Sequence, residues 1–314
     1  MDFPVFDLHC DTAEKLIGLG NVAYAELRKN GVHIDLERAG ELLGYAQCFA
    51  CFTTTDSSNI PPVDMFERKL AAIHREINKN QDIISLVYSP EEIEKNKDNG
   101  HMSAILTIEG PAGFGFDPEL LQDLYQIGFR ISTLGWNESN LLTGSCITGE
   151  GLTDLGREYV KEAQRLGMII DVSHISDKGF YDIVDITNAP IIATHSNSRS
   201  VCNVSRNLTD DMFRQICATG GVAGINLFAD FLGKRPSIDT VCDHIFHFLN
   251  IDPSGKHIAL GADFDGCDRL PAGIHGVQDY PMLAQRLLER GLSEITVYDI
   301  FWNNALEVFK KCYM

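Results

Sequence analysis

The sequence contains no apolar run close to the ~20 residues that span a membrane. Its first residues, Met1-Asp2-Phe3, lack the basic segment followed by an apolar one that marks a signal peptide, and neither end carries a lipidation signal. We therefore expect a cytoplasmic protein without a membrane anchor. Basic residues are scarce: 26 Lys and Arg against 44 Asp and Glu give a net charge of −18, which disfavours nucleic acid as a partner.

A regular cysteine framework is also absent. The nine cysteines are odd in number, and Cys48 and Cys51 lie in an apolar segment, where free thiols pack as small hydrophobic groups. This usage favours a reducing compartment. A chain of 314 residues buries about 75% of its extended surface and needs no disulfide or structural metal to fold.

Short apolar runs alternate with longer amphipathic segments along the chain. Eight runs are predicted to be strands: residues 3–8, 45–53, 103–109, 129–133, 168–172, 190–194, 221–227 and 257–263. They are continuously apolar, as parallel strands buried on both faces are. No Gly-x-Gly-x-x-Gly turn follows the first run, which argues against an open doubly wound sheet. We predict an α/β fold, a (β/α)8 TIM-type barrel, with one catalytic domain over residues 1–314.

Helices are predicted between these strands from apolar spacing and from capping residues. The main segments are residues 22–29, 35–43, 62–80, 118–127, 153–166, 176–186, 209–218, 238–249, 280–290 and 296–310.

Residues of the kind that bind metals stand at the ends of five predicted strands. They are His9 and Asp11, Glu109, His174, His195, and Asp263 with Asp265. Each alone is an ordinary polar strand end. In a barrel, however, the carboxyl ends of all strands meet at the face that carries the active site, so we expect these side chains to converge.

Carboxylates clustered in this way repel one another unless a cation lies among them. Histidine with carboxylate, and no thiolate, indicates zinc or a similar metal. Three histidines with three or more carboxylates exceed the needs of one tetrahedral ion, which favours two ions about 3.5–4 Å apart that share a carboxylate. Glu109 lies between the other candidates in strand order and is the predicted shared ligand. Cys10 lies between His9 and Asp11 but points to the opposite side.

The chain resembles the membrane (renal-type) dipeptidase family, the M19 metallopeptidases of the amidohydrolase-like superfamily. The similarity covers essentially the whole chain and rests on several segments taken together. These are Asp7-x-His9-x-Asp11, Thr107-Ile-Glu109-Gly110, Asp171-Val-Ser-His174, Thr194-His195-Ser196, Ser205-Arg206-Asn207-Leu208 and Gly261-Ala-Asp263-Phe-Asp265-Gly266.

The resemblance implies a barrel of the metal-dependent hydrolase type with two Zn²⁺ ions per chain. His9 and Asp11 would hold the first ion and His174 and His195 the second, with Glu109 bridging them. A homodimer is expected at the level of the family.

The resemblance also implies roles around the metals. Asp263 would be the acid/base group, and Arg206 would bind the free carboxylate of the substrate through its forked donors. Many family members place a substrate-binding histidine after the fourth strand, where this chain has Trp136 followed by Asn137, so these two residues are also predicted to bind substrate. Stabilisation of the oxyanion is then expected mainly from metal, or from another group such as Asn137.

The predicted function is hydrolysis of the peptide bond of dipeptides by water that two zinc ions activate, with Asp263 taking and returning the proton. Two alternatives stay open. One is a related amidohydrolase on the same site, such as an N-acyl-(D-)amino-acid deacylase or a lactam hydrolase. The other is a metal- or ligand-binding barrel that has lost catalysis.

Overall fold

The computed structural model describes residues 3–18, 24–55 and 60–312. The strands in this part of the chain are β1 (Val5–Cys10), β2 (Tyr45–Phe52), β3 (Ile84–Leu86), β4 (Met102–Glu109), β5 (Phe129–Thr133), β6 (Ile169–Asp171), β7 (Ile191–Ile192), β8 (Ala223–Ile225) and β9 (Ile258–Leu260). All pair in parallel, in the order β7-β6-β5-β4-β2-β1-β9-β8, with β3 added beside β4. A bridge between Ala193 and Ala223 brings the two ends of this order together. The result is a nearly closed barrel of eight strands, which confirms the predicted fold class.

Helices follow most of the barrel strands. They are α1 (Thr12–Ile17), α2 (Leu36–Ala39), α3 (Pro62–Lys79), α4 (Pro90–Asp98), α5 (Leu121–Gln126), α6 (Asp154–Arg165), α7 (Asp177–Val184), α8 (Asp210–Thr219), α9 (Ala229–Leu232), α10 (Ile238–Ile251), α11 (Tyr280–Glu289), α12 (Glu294–Tyr298) and α13 (Asn304–Cys312). A π-helical turn, Asp299–Asn303, joins α12 to α13. Among the described residues, none of the helices combines the length and the apolar character needed to cross a membrane.

Each of the eight predicted strand runs overlaps one barrel strand, but one predicted helix is wrong and two elements were missed. Residues 24–29 of the segment predicted as a helix are not helical, while residues 22 and 23 lie outside the described residues. The Leu27 N–H instead donates to the carboxylate of Glu76, 3.0 Å away, so a tertiary hydrogen bond takes the place of a helical one. The strand β3 and the helix α4 were not predicted.

The strands are buried on both faces. Along β4, Ala104, Leu106 and Ile108 belong to one buried cluster, and Ile105 belongs to a second cluster that includes Phe6 and Phe309. Phe309 of α13 contacts Phe6 with ring centroids 5.2 Å apart. This double burial explains why the sequence shows continuous apolar runs rather than alternation.

Two glycines allow the backbone to approach closely where β7 ends. A Cβ at Gly261 would lie 1.7 Å from the carbonyl oxygen of Thr194, and a Cβ at Gly224 would lie 2.0 Å from the same atom. No real side chain fits these distances. The position of Thr194, and of the residue that follows it, therefore depends on the absence of side chains at both glycines.

We expect Gly261→Ala to lower the free energy of unfolding by about 1–3 kcal/mol or more, because the added methyl group collides with backbone atoms. Urea unfolding of the metal-free proteins measures this change. Gly31→Ala is the matched control, since a Cβ at Gly31 meets no atom within 4 Å and should have little effect. Equal stability of the two variants would contradict the expectation.

Candidate metal centre

The five residues predicted as metal ligands meet at the carboxyl end of the barrel. His9 and Asp11 lie at the end of β1, Glu109 is the last residue of β4, and His174 and His195 follow β6 and β7. All five are buried, Asp11 being the most exposed at 9%. The strand ends thus bring together residues that are up to 186 positions apart, although their roles as ligands stay a prediction.

Glu109 lies at the middle of the cluster. Its Oε2 is 3.4 Å from His9 Nε2, whereas its Oε1 is 3.1 Å from His174 Nε2 and 3.9 Å from His195 Nε2. Asp11 Oδ2 is 3.5 Å from His9 Nε2. The two oxygens of one carboxylate therefore face two separate sets of donor atoms, which is the arrangement that a shared metal ligand requires.

The donor atoms fit a bound cation better than they fit one another. His9 Nε2 and Asp11 Oδ1 are buried, and the described residues give neither a hydrogen-bond partner. A buried polar atom left in this way costs about 1–3 kcal/mol. His174 Nε2 and His195 Nε2 lie 3.1 Å apart with their ring nitrogens facing. Bound metal ions would supply the partner that His9 Nε2 and Asp11 Oδ1 lack, and would accept the lone pairs of the two facing nitrogens.

A buried hydrogen-bond relay fixes the orientation of His195. Asp171 Oδ2 accepts hydrogen bonds of 2.6 Å from the hydroxyls of Thr133 and Thr194. Because the single hydroxyl proton of Thr194 goes to Asp171, its oxygen must accept from His195 Nδ1, which is 2.7 Å away. The proton of His195 is thereby held on Nδ1, and Nε2 presents a lone pair to the centre.

Asn137 has the corresponding contact with His174. Its Oδ1 lies 3.1 Å from His174 Nδ1, and because an amide oxygen only accepts, Nδ1 must carry the proton. Asn137 was predicted to bind substrate, and it does line the cavity above the cluster. The structure adds this orienting contact, which the sequence did not indicate.

The electrostatic environment favours neutral imidazoles at His174 and His195 beside an ionised bridge. His9 differs: burial lowers its pKa, but the charge of Glu109 raises it overall. Burial and then the charge of Arg206 lower the pKa of His174 to about 4, and burial is also the main cause that lowers the pKa of His195. Burial works against ionisation of Glu109, but the charge of His9 and the closeness of the His174 imidazole lower its pKa overall. Neutral histidine and ionised carboxylate are the forms that bind metals.

Asp263 stands beside the cluster in a different electrostatic state. Burial raises the pKa of Asp263 to about 7, with His9 opposing the shift and the charges of Asp11 and Glu109 adding to it. Its Oδ1 is 3.9 Å from His9 Nε2, and its Oδ2 accepts a 3.1 Å hydrogen bond from Asn226 Nδ2. Its backbone has a φ of 62°, which is uncommon for a residue other than glycine. A carboxyl group with a pKa near neutrality is suited to exchanging a proton.

A cavity of about 550 Å³ opens above the cluster. Arg206 lines it and is 7% exposed; its Nη1 donates to Ser196 Oγ at 3.0 Å, while its Nε has no hydrogen-bond partner within the described residues. Trp136 lines the cavity too, with its ring centroid 5.0 Å from that of Phe52 and 6.2 Å from that of His174. All three residues predicted to bind substrate thus border one space.

The structure adds one residue to the site and assigns another residue a different role. Asn226 follows β8, so the rule that located the other strand-end residues could have found it. Asp265 was counted among the strand-end residues, but its carboxylate accepts from the Thr12 hydroxyl at 2.6 Å and from the His33 N–H at 2.7 Å. Asp265 therefore stabilises the loop after β9.

A parallel α/β barrel that carries a buried histidine and carboxylate cluster at the carboxyl ends of its strands is characteristic of metal-dependent hydrolases. The comparisons with known proteins agree with this class. The family model for membrane dipeptidase (peptidase family M19) matches residues 1–313. The chain belongs to the membrane dipeptidase family, peptidase family M19. Both the resemblance seen in the sequence and the predicted hydrolase class are therefore confirmed.

Curated relatives include two proteins that are described as uncharacterised. An uncharacterised protein of Klebsiella pneumoniae is 34% identical over 263 residues, which are 79% of this chain and 96% of the relative. An uncharacterised dipeptidase of Schizosaccharomyces pombe is 37% identical over 217 residues, which are 67% of this chain and 53% of the relative. The match therefore spans about half the length of the yeast protein.

Solved structures show the same fold over the full length. A metallopeptidase from Rhodobacter sphaeroides, solved with a phosphinate mimic of the dipeptide L-Ala-D-Ala, has a TM-score of 0.90 at 25% identity and full coverage of both chains. A second M19 metallopeptidase, dipeptidase AC, has a TM-score of 0.88 at 25% identity, covering 100% of this chain and 99% of the other.

We expect Thr194→Val to weaken metal binding roughly 10–100-fold, because His195 would lose the acceptor that fixes its proton on Nδ1. Competition with a chelator measures this affinity. Thr107→Val is the matched control: Thr107 is also a buried strand residue near the centre, but within the described residues its hydroxyl has no hydrogen-bond partner. Equal losses of metal affinity in the two variants would contradict the role of Thr194 in orienting His195.

Asp263 should make the metal-free protein less stable as the pH rises. Its folded pKa of about 7 lies above the ordinary value of 3.8, so the folded protein binds this proton more tightly than the unfolded chain does. The resulting loss of stability grows as the pH rises from 3.8 to about 7 and stays constant above pH 7. Asp263→Asn should therefore stabilise the metal-free protein more at pH 8 than at pH 5 in thermal unfolding. A gain that is independent of pH, or one matched by the exposed control Asp268→Asn, would contradict this.

Proposed function

We propose that this protein is a zinc-dependent dipeptidase with two metal ions per chain. The observation that carries the proposal is the position of Glu109, whose two carboxylate oxygens face His9 on one side and His174 with His195 on the other. Asp11 completes the first set. His9 and Asp11 would hold one ion, His174 and His195 the other, and Glu109 both. The family and the donor set support this assignment.

When bound, two zinc ions would supply Lewis acidity and lower the pKa of a water molecule in the centre toward about 7. The chain itself supplies the proton transfers. Asp263, whose pKa is raised to about 7, accepts the proton of the attacking water and returns it to the amine of the leaving residue. Asn226 holds Asp263 Oδ2 by a hydrogen bond of 3.1 Å, which directs Oδ1 toward the cluster.

Arg206 determines the length of the substrate. Its guanidinium is buried and held by Ser196 and by the carbonyl of His195, and the residue lines the cavity, so the remaining N–H donors of its two terminal nitrogens are fixed for binding a carboxylate. A free carboxyl terminus seated there places the bond one residue away over the metal centre. A longer peptide would place the wrong bond in that position, so dipeptides are the preferred substrates.

Trp136 takes the place where many relatives carry a histidine. Its indole packs on Phe52 and borders the cavity, so it supplies an apolar wall rather than an imidazole donor to the substrate carbonyl. The oxyanion would then be stabilised mainly by metal. Asn137 supports this through His174 rather than by contact with the carbonyl, because its Oδ1 faces His174 Nδ1.

We also propose a cytoplasmic location, a single catalytic domain and a possible homodimer. All nine cysteines are free thiols, which suits a reducing compartment.

The direct test is activity on Ala-Ala before chelation, after chelation, and after zinc is added back. We expect activity to disappear and then return, with two zinc ions bound per chain. Asp263→Asn should still bind two ions but should lower kcat roughly 10²–10⁴-fold, as loss of an acid/base group does. Asp268→Asn, an exposed change of the same kind, should retain activity. Full activity of metal-free protein would overturn the proposal, and faster turnover of N-acyl amino acids or lactams than of dipeptides would favour the related amidohydrolase.

A further inference from the structure

One ionisable residue of the cavity wall has no part in the proposed mechanism. Glu14 lines the cavity with Asp11 and Phe52, but it lies in the first turn of α1, outside the metal cluster. Its side chain is 33% exposed.

A buried lysine holds Glu14 in place. Lys69 of α3 is only 1% exposed, which is rare for a lysine. Its Nζ donates to Glu14 Oε1 at 2.8 Å and to the carbonyl oxygen of Phe52 at 2.7 Å, and it lies 4.7 Å from the centre of the Phe52 ring. Within the described residues, no donor reaches the other carboxylate oxygen of Glu14. The ion pair therefore fixes an ionised carboxylate that keeps one oxygen for a ligand.

The barrel order places this pair across the cavity from Arg206. Arg206 belongs to the loop after β7, and Phe52 ends β2, which is separated from β7 by three strands in either direction around the barrel. Glu14 follows the neighbouring strand, β1. A dipeptide with its carboxylate on Arg206 and its scissile bond over the metals thus extends its amino-terminal residue toward the wall of β1 and β2.

We propose that Glu14, held by Lys69, forms a subsite for the side chain of the amino-terminal residue, and that it selects a long side chain ending in an ammonium or guanidinium. This inference rests on the proposed dipeptidase function. The methylenes of a lysine or arginine side chain would pack on the rings of Phe52 and Trp136, and the terminal cation would meet the free oxygen of Glu14. The α-ammonium is only two bonds from the scissile carbonyl carbon, so it stays beside the acids of the metal centre.

The test compares kcat/KM for Lys-Ala and for norleucine-Ala, whose side chain has the same methylene stem without the charge. We expect the zinc-loaded protein to favour Lys-Ala roughly tenfold or more, the range of a hydrogen bond to a charged group. The double variant Glu14→Gln/Lys69→Met should lose most of this ratio. The double change is used because Glu14→Gln alone would leave Lys69 buried without an anion.

Glu37→Gln is the matched control, because Glu37 pairs with Lys29 at an exposed surface and lies outside the cavity lining. This variant should keep the ratio of the unmodified protein. A ratio near one in the unmodified protein, or an unchanged ratio in the double variant, would overturn the subsite while leaving the dipeptidase proposal intact. Equal losses of kcat/KM on both substrates in the double variant would show that Glu14 binds the α-ammonium and would overturn the side-chain assignment. Absence of any dipeptide hydrolysis would overturn both proposals.

Discussion

The carboxylate of Glu109 is the constraint on which the rest of the site depends. One anion is buried between imidazoles that come from three different strand ends, and each of its oxygens faces a different set. Burial alone would disfavour this charge, so its surroundings must compensate. Asn137 and the chain from Asp171 through Thr194 keep two imidazoles with their lone pairs directed inward. The cluster is therefore prepared for cations before they bind.

The barrel itself could be predicted because its physical cause is local. A strand buried on both faces must be apolar at every position, and eight such runs are visible in the sequence. The errors occur where long-range contacts decide the structure. Leu27 is held by Glu76 from a distant helix, and β3 forms where it can pair with the first residues of β4. Neither contact leaves a periodic signal in the chain.

The same distinction between local sequence signals and long-range contacts applies to the site. Residue type at a strand end was enough to locate His9, Glu109 and Asp263, because the barrel topology brings every strand end to one rim. The relay that orients His195 was out of reach, since Thr194 is an ordinary residue after β7 until Asp171 is seen beside it. The pairing of Glu14 with Lys69 joins residues 55 positions apart and could not be read from spacing.

The central claim is that Glu109 bridges two ions at one mouth of the barrel. Diffraction from zinc-loaded crystals at the zinc absorption edge tests it most directly. The account predicts two anomalous peaks about 3.5–4 Å apart, one beside His9 and Asp11 and the other beside His174 and His195, with one Glu109 oxygen on each. A single peak, or peaks that Glu109 does not contact, would contradict it.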